Sequence, residues 1–468
     1  MKIIRIIFGF VLLSIQASAQ SKQKPCPCSI LLQESIKKVS TIYAGFDDKV
    51  TIQTRARYNQ LVKNLKTLAI RTSSARGCYE IIKQYTDWFK DGHVGIWFAI
   101  QSSAAEIRKA NLNIIPTDFK PNPHSLEGFW STADQKQQYA IIKDPSGINK
   151  FIAIILATTD SAWKPGMVKA EFYNYDAKNN YYWGLYYQRD FHGVLNGFTL
   201  NHERLDYWFG PSWYRKNASA NLLGENLESV QFKILNKSFT YLKLGRFNQP
   251  DVDKLDSFIR TNSSIIHQTK NLIIDLRANS GGNANTSEEM IRLIYTSPII
   301  YPAWQYRSSP ELIKSIESEI VGLTKEDPYH LLKSKQVFLE NLKKHPGELV
   351  SSGDSVIRKE DSTVRYPQRI ALLVDKRSAS SSEFFVFECK QSKKVTIFGT
   401  NTAGGMDYGD AQGYNLFCGE YNLGIPRGRN GWIKRFGFRI DNIGFAPDVR
   451  IPQGEDDWVG FVMTYWSK

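Results

Sequence analysis

The stretch Ile370-Ala371-Leu372-Leu373-Val374-Asp375-Lys376-Arg377-Ser378-Ala379-Ser380-Ser381-Ser382-Glu383 decides how the chain is read. Its first five residues are all apolar, as in a strand buried on both faces. Its last residues open a helix, predicted from Glu383 to Gln391. A strand that turns sharply into a helix presents the turn residue beside the unpaired N–H groups and partial positive charge of the helix N-terminus. A serine hydroxyl placed there suits nucleophilic attack, because an oxyanion formed beside it is stabilised. The same letters have a structural reading. Ser380-x-x-Glu383 has the form of a capping box, in which the serine only starts the helix.

The flanking sequence is α/β. Phe239 to Leu244 reads as a strand, Asp251 to Ile259 as a helix, and Asn271 to Arg277 as a buried strand. The turn Asn279-Ser280-Gly281-Gly282 follows, then a helix capped by Thr286-x-x-Glu289. Beyond the serine turn come strand Val395 to Phe398 and the glycine-rich loop to Gly405. Strand, helix and strand in this succession imply a parallel sheet with right-handed crossovers. Residues 306–365 interrupt with charged helical sequence and are expected to form a lid. Residues 412–451 read as hairpins that end in Gly444-Phe445-Ala446-Pro447-Asp448-Val449.

The N-terminal half has a different texture. Apolar residues recur at helical spacing from 30 to 91, which predicts a small three-helix unit within a domain at 20–99. It ends at Lys90-Asp91-Gly92-His93-Val94. His93 is a candidate base at an element junction. Its structural reading is a histidine that complements a helix C-terminus. Residues 100–225 hold five of the eleven tryptophans and short alternating runs separated by Gly, Asn and Asp. They predict an antiparallel β domain, a sandwich or a barrel. Its aromatics either pack a core or form a carbohydrate- or peptide-binding face. Asn217-Ala218-Ser219 matches a glycosylation acceptor.

At 468 residues the chain is expected to hold about three domains. Its 42% hydrophobic content supports real cores. Met1 to Ala19 reads as a secretory signal peptide: basic Lys2 and Arg5, an apolar core, and Ala17-Ser18-Ala19 as cleavage site. Without it the formal charge of +14 becomes +12, from 58 basic and 46 acidic residues. The basic residues are dispersed, with no stripe or zinc-finger spacing, so no nucleic-acid partner is expected. No other stretch is long and apolar enough to span a bilayer, so no stable membrane insertion is expected. An oxidising compartment permits Cys28 or Cys26 to pair with Cys78, and Cys389 and Cys418 complete the five cysteines.

Several of these stretches together resemble one family. Ile274-Asp275-Leu276-Arg277-Ala278-Asn279-Ser280-Gly281-Gly282 is similar to the Asp-Leu-Arg-x-Asn-x-Gly-Gly signature of the tail-specific, or C-terminal processing, serine peptidases, peptidase family S41. Ser378 to Glu383 resembles that family's nucleophile turn. Gly399-x-x-Thr402-Ala403-Gly404 and Gly444-Phe445-Ala446-Pro447-Asp448 resemble its later landmarks. The resemblance covers about 230–451. It implies a ClpP/crotonase-like α/β core at 226–468, with the N-terminal helical bundle and the β domain as additions. It places the nucleophile at Ser380. The dyad branch of the family carries a lysine base where this chain has Gly405, and Lys434 is a poor substitute. The branch that includes the tricorn core protease uses a histidine from the preceding helical region. His93 fits that base, and Asp441 fits the acidic residue before the last landmark, orienting the imidazole directly or through a hydroxyl. Gly281 and Ser381 are expected to supply oxyanion N–H groups, with Gly282 as the alternative to Gly281. No carboxylate-binding Gly-Leu-Gly-Phe-like loop of a PDZ domain is found in residues 100–225.

The expected protein is therefore a periplasmic or secreted serine endopeptidase acting on polypeptides, with no metal or organic cofactor and possible oligomers. The alternative is a non-catalytic ligand-binding protein on the same fold. A hydrolase of esters or glycans is a third reading, though the Gly-x-Ser-x-Gly elbow is missing.

Overall fold

The computed structural model describes residues 27–467 except 102, 121, 123–124, 148, 177–180, 202, 208–211, 217, 219–228, 283–286, 324–330 and 418–420. The expected signal peptide, Cys26, Cys418, Thr286 and the Asn217 acceptor lie outside the described residues.

The helical unit forms as the periodicity requires. Helix α1 (Cys28–Ile42) buries Leu31, Leu32, Ser35, Val39 and Ile42. A single turn, α2 (Phe46–Lys49), follows, then α3 (Arg55–Arg71) and α4 (Ala75–Asp87). Ser74 caps α4 by accepting from the Gly77 N–H. Of the two disulfides left open by the sequence, Cys28–Cys78 is the one formed, with Cα atoms 5.3 Å apart. It joins the start of α1 to the start of α4.

Next comes β1 (Gly95–Gln101), then eight strands: β2 (Gly128–Thr132), β3 (Gln137–Lys143), β4 (Phe151–Thr158), β5 (Val168–Asp176), β6 (Tyr181–Tyr187), β7 (His192–Asn201), β8 (Arg204–Tyr207) and β9 (Trp213–Arg215). They pair antiparallel in the order β7-β6-β5-β4-β3-β2-β9-β8, and β8 pairs back onto β7. The circuit closes, so the domain is a barrel and exposes no long edge within it. Trp130, Trp213, Tyr139, Phe172 and Phe198 are fully buried, and Tyr139 stacks on Trp213 at 4.1 Å. These aromatics fill the core.

The α/β half begins with β10 (Val230–Asn236), β11 (Phe239–Leu244) and β12 (Asn271–Asp275). Ser287, one residue after the expected Thr286, accepts from Met290 N–H and caps the helix Glu288–Ile294. The chain then makes β13 (Ile299–Tyr301), β14 (Gln305–Arg307), the helices Pro310–Leu323 and Leu332–Lys344, β15 (Leu349–Ser351) and β16 (Val356–Arg358). The core resumes with β17 (Arg369–Val374), β18 (Val395–Gly399), the hairpin β19 (Tyr408–Asn415) and β20 (Tyr421–Arg429), and β21 (Val449–Arg450). Six strands form one sheet in the order β10-β11-β12-β17-β18-β21, parallel from β11 onward. The apolar runs of the central strands β11, β12 and β17 are buried, as a sheet covered on both faces demands.

Strand pairing crosses one expected boundary and engages the expected lid. The cut between 99 and 100 falls inside β1, which pairs with β20 through Gly95–Phe98 and with β7 through Ala99–Gln101. The C-terminal hairpin thus extends the same sheet as the barrel, and the halves are stitched by backbone hydrogen bonds. The segment expected as a lid is fixed to this sheet as well. Its β14 pairs with β20, and its helices close on Leu312, Ile316, Phe338 and Leu342.

Candidate active site

The parallel sheet decides which turns meet. β12 and β17 are neighbours, with Asp275 opposite Leu373. The turns at their carboxyl ends, 276–282 and 375–380, therefore lie side by side, where α/β sheets place ligands. They are laced together. Ala278 N–H donates to Asp375 Oδ1 at 3.0 Å and Ala379 N–H to Asn279 O at 3.0 Å. The serine-rich turn divides its hydroxyls. Ser378 Oγ donates to Leu276 O, Ser381 Oγ to Gly282 O and Ser382 Oγ to Asn279 O, each at 2.8 Å. Ser380 Oγ instead faces His93 Nε2 at 3.4 Å.

Ser380 also forms the capping box that its spacing suggests, with its N–H on Glu383 Oε2 at 3.3 Å. Its backbone is left-handed, φ 55° and ψ −117°. For a residue with a side chain this costs about 1–3 kcal/mol and is tolerated only where surrounding bonds enforce it. Glu383 is such an enforcer. Fully buried, it accepts from Thr402 Oγ1 and Gly404 N–H at 2.6 Å and from Gly405 N–H at 2.7 Å. Burial pushes its pKa up, against the pull of those donors.

His93 reaches the serine because β1 docks on β20. Asp91, buried at the same turn, accepts the backbone N–H of His93 at 2.9 Å, and its Oδ1 lies 3.5 Å from the ring Nδ1. That second distance is beyond a good hydrogen bond, so the coupling to the ring is electrostatic. Burial depresses the imidazole pKa, but Asp91, Glu383 and the Gly405 backbone outweigh it and hold it above the ordinary value. A Cβ built on Gly405 would stand 3.6 Å from both His93 Cε1 and a Glu383 oxygen. The imidazole thus sits beside the position where the dyad branch carries lysine. Lys434 is exposed on the short helix Trp432–Phe436.

Asp441 is not on the imidazole. Its carboxylate bonds Lys49 Nζ of α2, and its N–H donates to the buried Asp407 at 3.0 Å. The one-turn helix α2 intervenes, which no sequence spacing signalled. Gly281 differs from expectation too. Its N–H donates to Asn279 Oδ1 at 2.9 Å, so it is already engaged. Gly281 is required for closeness: with φ +93°, a Cβ there would fall 2.7 Å from Ser380 Cβ. Among the described residues nothing accepts from the N–H groups of Gly282 and Ser381. These two donors can face an oxyanion.

Sequence reasoning missed two further residues. Tyr43, at the end of α1, is fully buried and donates its OH to Asp91 Oδ2 at 2.9 Å. Burial and then Asp91 push its pKa far up, so it stays a donor. Nothing in the sequence links positions 43 and 91. Asp91, by contrast, stands two residues from His93, and that spacing was a usable signal. The arrangement as a whole offers a strained serine, an imidazole within reach and a pair of N–H groups with no acceptor among the described residues, the parts needed for acyl transfer.

Residues 238–451 match the profile of peptidase family S41. This segment belongs to that family. Its activity class is that of a serine peptidase. No curated protein sequence matches the chain. Among solved structures it is similar to mature CPAF complexed with lactacystin, at 14% identity over 91% of this chain and 94% of that one, with a TM-score of 0.50. At that identity the likeness supports the S41 fold alone. The photosystem II D1 C-terminal processing protease, at 12% identity, matches over 91% of this chain and 93% of its own with a TM-score of 0.40. The tricorn protease, at 11%, matches over 94% of this S41 chain and 36% of its own with a TM-score of 0.41.

Proposed function

We propose that the protein is a secreted or periplasmic serine endopeptidase in which Ser380 is the nucleophile and His93 the general base. The observation that carries this is the approach of His93 Nε2 to Ser380 Oγ at 3.4 Å across 287 residues of sequence. Free-enzyme contacts of this kind tighten when substrate binds. Ser380 Oγ attacks the peptide carbonyl as its proton passes to His93 Nε2. The N–H groups of Ser381 and Gly282 hold the oxyanion. The imidazolium then gives its proton to the leaving amine, and an acyl-enzyme forms on Ser380. Water activated by the same imidazole releases it. The chain's own groups handle every proton and charge in these steps.

Secretion rests on the Met1–Ala19 leader pattern together with the Cys28–Cys78 disulfide. Three of the five tryptophans of residues 100–225, Trp130, Trp163 and Trp213, are buried and so offer the ligand-binding alternative no exposed surface of their own. The test is active-site titration with a peptide chloromethyl ketone or fluorophosphonate. A stoichiometric adduct on Ser380 in parallel with peptide cleavage supports the reading. A folded protein that cleaves nothing and takes no adduct refutes it.

A further inference from the structure

Two carboxylates, Asp91 and Glu383, act on the imidazole, Asp441 stands beyond Asp91, and their bonds distinguish the three. Glu383 is saturated by four donors from the Ser380 turn and the 402–405 loop. Asp441 is bound to Lys49. Asp91 alone faces Nδ1, and its carboxylate is pinned on both oxygens, Oδ1 by the His93 N–H and Oδ2 by Tyr43 OH.

We infer that Asp91, fixed by Tyr43, is the positioning residue for His93, in the place expected of Asp441. The inference rests on the proposed Ser380–His93 pair and adds what orients it. A carboxylate at Nδ1 favours the tautomer with its proton there, which leaves the Nε2 lone pair directed at Ser380 Oγ. It also stabilises the imidazolium that forms when the serine proton arrives. Nδ1 has no hydrogen-bond partner among the described residues. A closure of a few tenths of an ångström, on the order of free-to-bound tightening, would give it one in Asp91. The acid thus comes from the histidine's own turn. Its anchor, Tyr43, comes from the N-terminal helical unit, which makes that unit part of the active site. The groups facing the ring are Asp91 from its own turn, Ser380 and Glu383 from the nucleophile turn and helix, and the Gly405 backbone. Tyr43 and the Lys49–Asp441 pair stand around Asp91.

The test uses the full mature chain and the rate constant for fluorophosphonate labelling of Ser380, measured across about pH 5 to 9. Asp91→Asn is expected to lose roughly 10³–10⁴-fold in rate, and the midpoint of its acid limb moves to lower pH. Asp91→Glu should restore part of the rate. Tyr43→Phe is expected to lose about tenfold. Asp441→Asn should stay within about threefold of wild type with an unchanged midpoint. The inference is overturned if Asp441→Asn abolishes labelling while Asp91→Asn labels at the wild-type rate. Should Asp91→Asn fail to fold, wild-type labelling by folded Tyr43→Phe overturns it equally. Wild-type protein that takes no adduct refutes the Ser380–His93 reading itself, and this inference with it.

Discussion

At the scale of the residue, the site is defined by which bonds are already made. Three serines of the turn are tied to carbonyls, and the fourth is left for the imidazole. Neighbouring glycines differ as sharply. A Cβ at Gly404 would meet Ile440 O at 2.4 Å, and its φ is +82°. Gly405 has an ordinary φ and no contact nearer than 3.6 Å. Gly404→Ala should therefore cost the protein stability, on the order of 2–3 kcal/mol, and abolish labelling of Ser380. Gly405→Ala should change neither by much; urea melts and labelling rates check both. The pH dependence has a definite sign. His93 must be neutral to accept a proton, and its pKa lies above the ordinary 6.5. The acid limb of labelling should accordingly have its midpoint above about 6.5. Ser380 and His93, which the fold brings together, were singled out from sequence because turn chemistry and an element junction are local features. The bond between Asp441 and Lys49 was not legible, because the two lie 392 residues apart. Gly281 was read as a donor because a sequence cannot show that Asn279 has already taken its N–H.

At the scale of the element, two parallel helices carry the imidazole's support. The disulfide joins the starts of α1 and α4. Beyond their other ends, the Tyr43–Asp91 hydrogen bond joins them again. Cross-linking a loop of this size stabilises a chain by about 4 kcal/mol in the loop-entropy account. The pair Cys28→Ser and Cys78→Ser is expected to lower the melting temperature and to slow Ser380 labelling before the protein unfolds. Thermal melts and labelling on the same samples check this, and unchanged labelling near the melt would separate the helices from the site. The one-turn α2 is the other organising element. Asp47 pairs with Arg307, Asp48 with Arg429 and Arg439, and Lys49 with Asp441. Helix periodicity gave α1, α3 and α4 from sequence, whereas a four-residue turn has no period to detect.

At the scale of the whole molecule, the barrel and the hairpin share one sheet, and β1 belongs to both. The sequence pattern announced short antiparallel strands, but pairing between β1 and β20 spans the chain and leaves no local signature. The barrel also holds a cost. Lys169 is 4% exposed, with Nζ 3.9 Å from the Trp163 ring and 4.9 Å from the Tyr186 ring. Burial brings its pKa down from 10.5 to about 7, with only Asp160 opposing. The unfolded chain binds the proton more tightly between those values, so this group makes stability rise as pH climbs from about 7 towards 10.5. Lys169→Met should raise the melting temperature at neutral pH, with a gain that fades towards pH 10.5. A series of melts across that range checks it. The central claim concerns two residues brought together by the whole fold, and one measurement tests it most directly. Mature wild type, Ser380→Ala and His93→Ala would be exposed to a fluorophosphonate and the adduct located by mass spectrometry. The account expects an adduct on Ser380 in wild type and none in either folded variant. An adduct that persists at full rate in folded His93→Ala would contradict it.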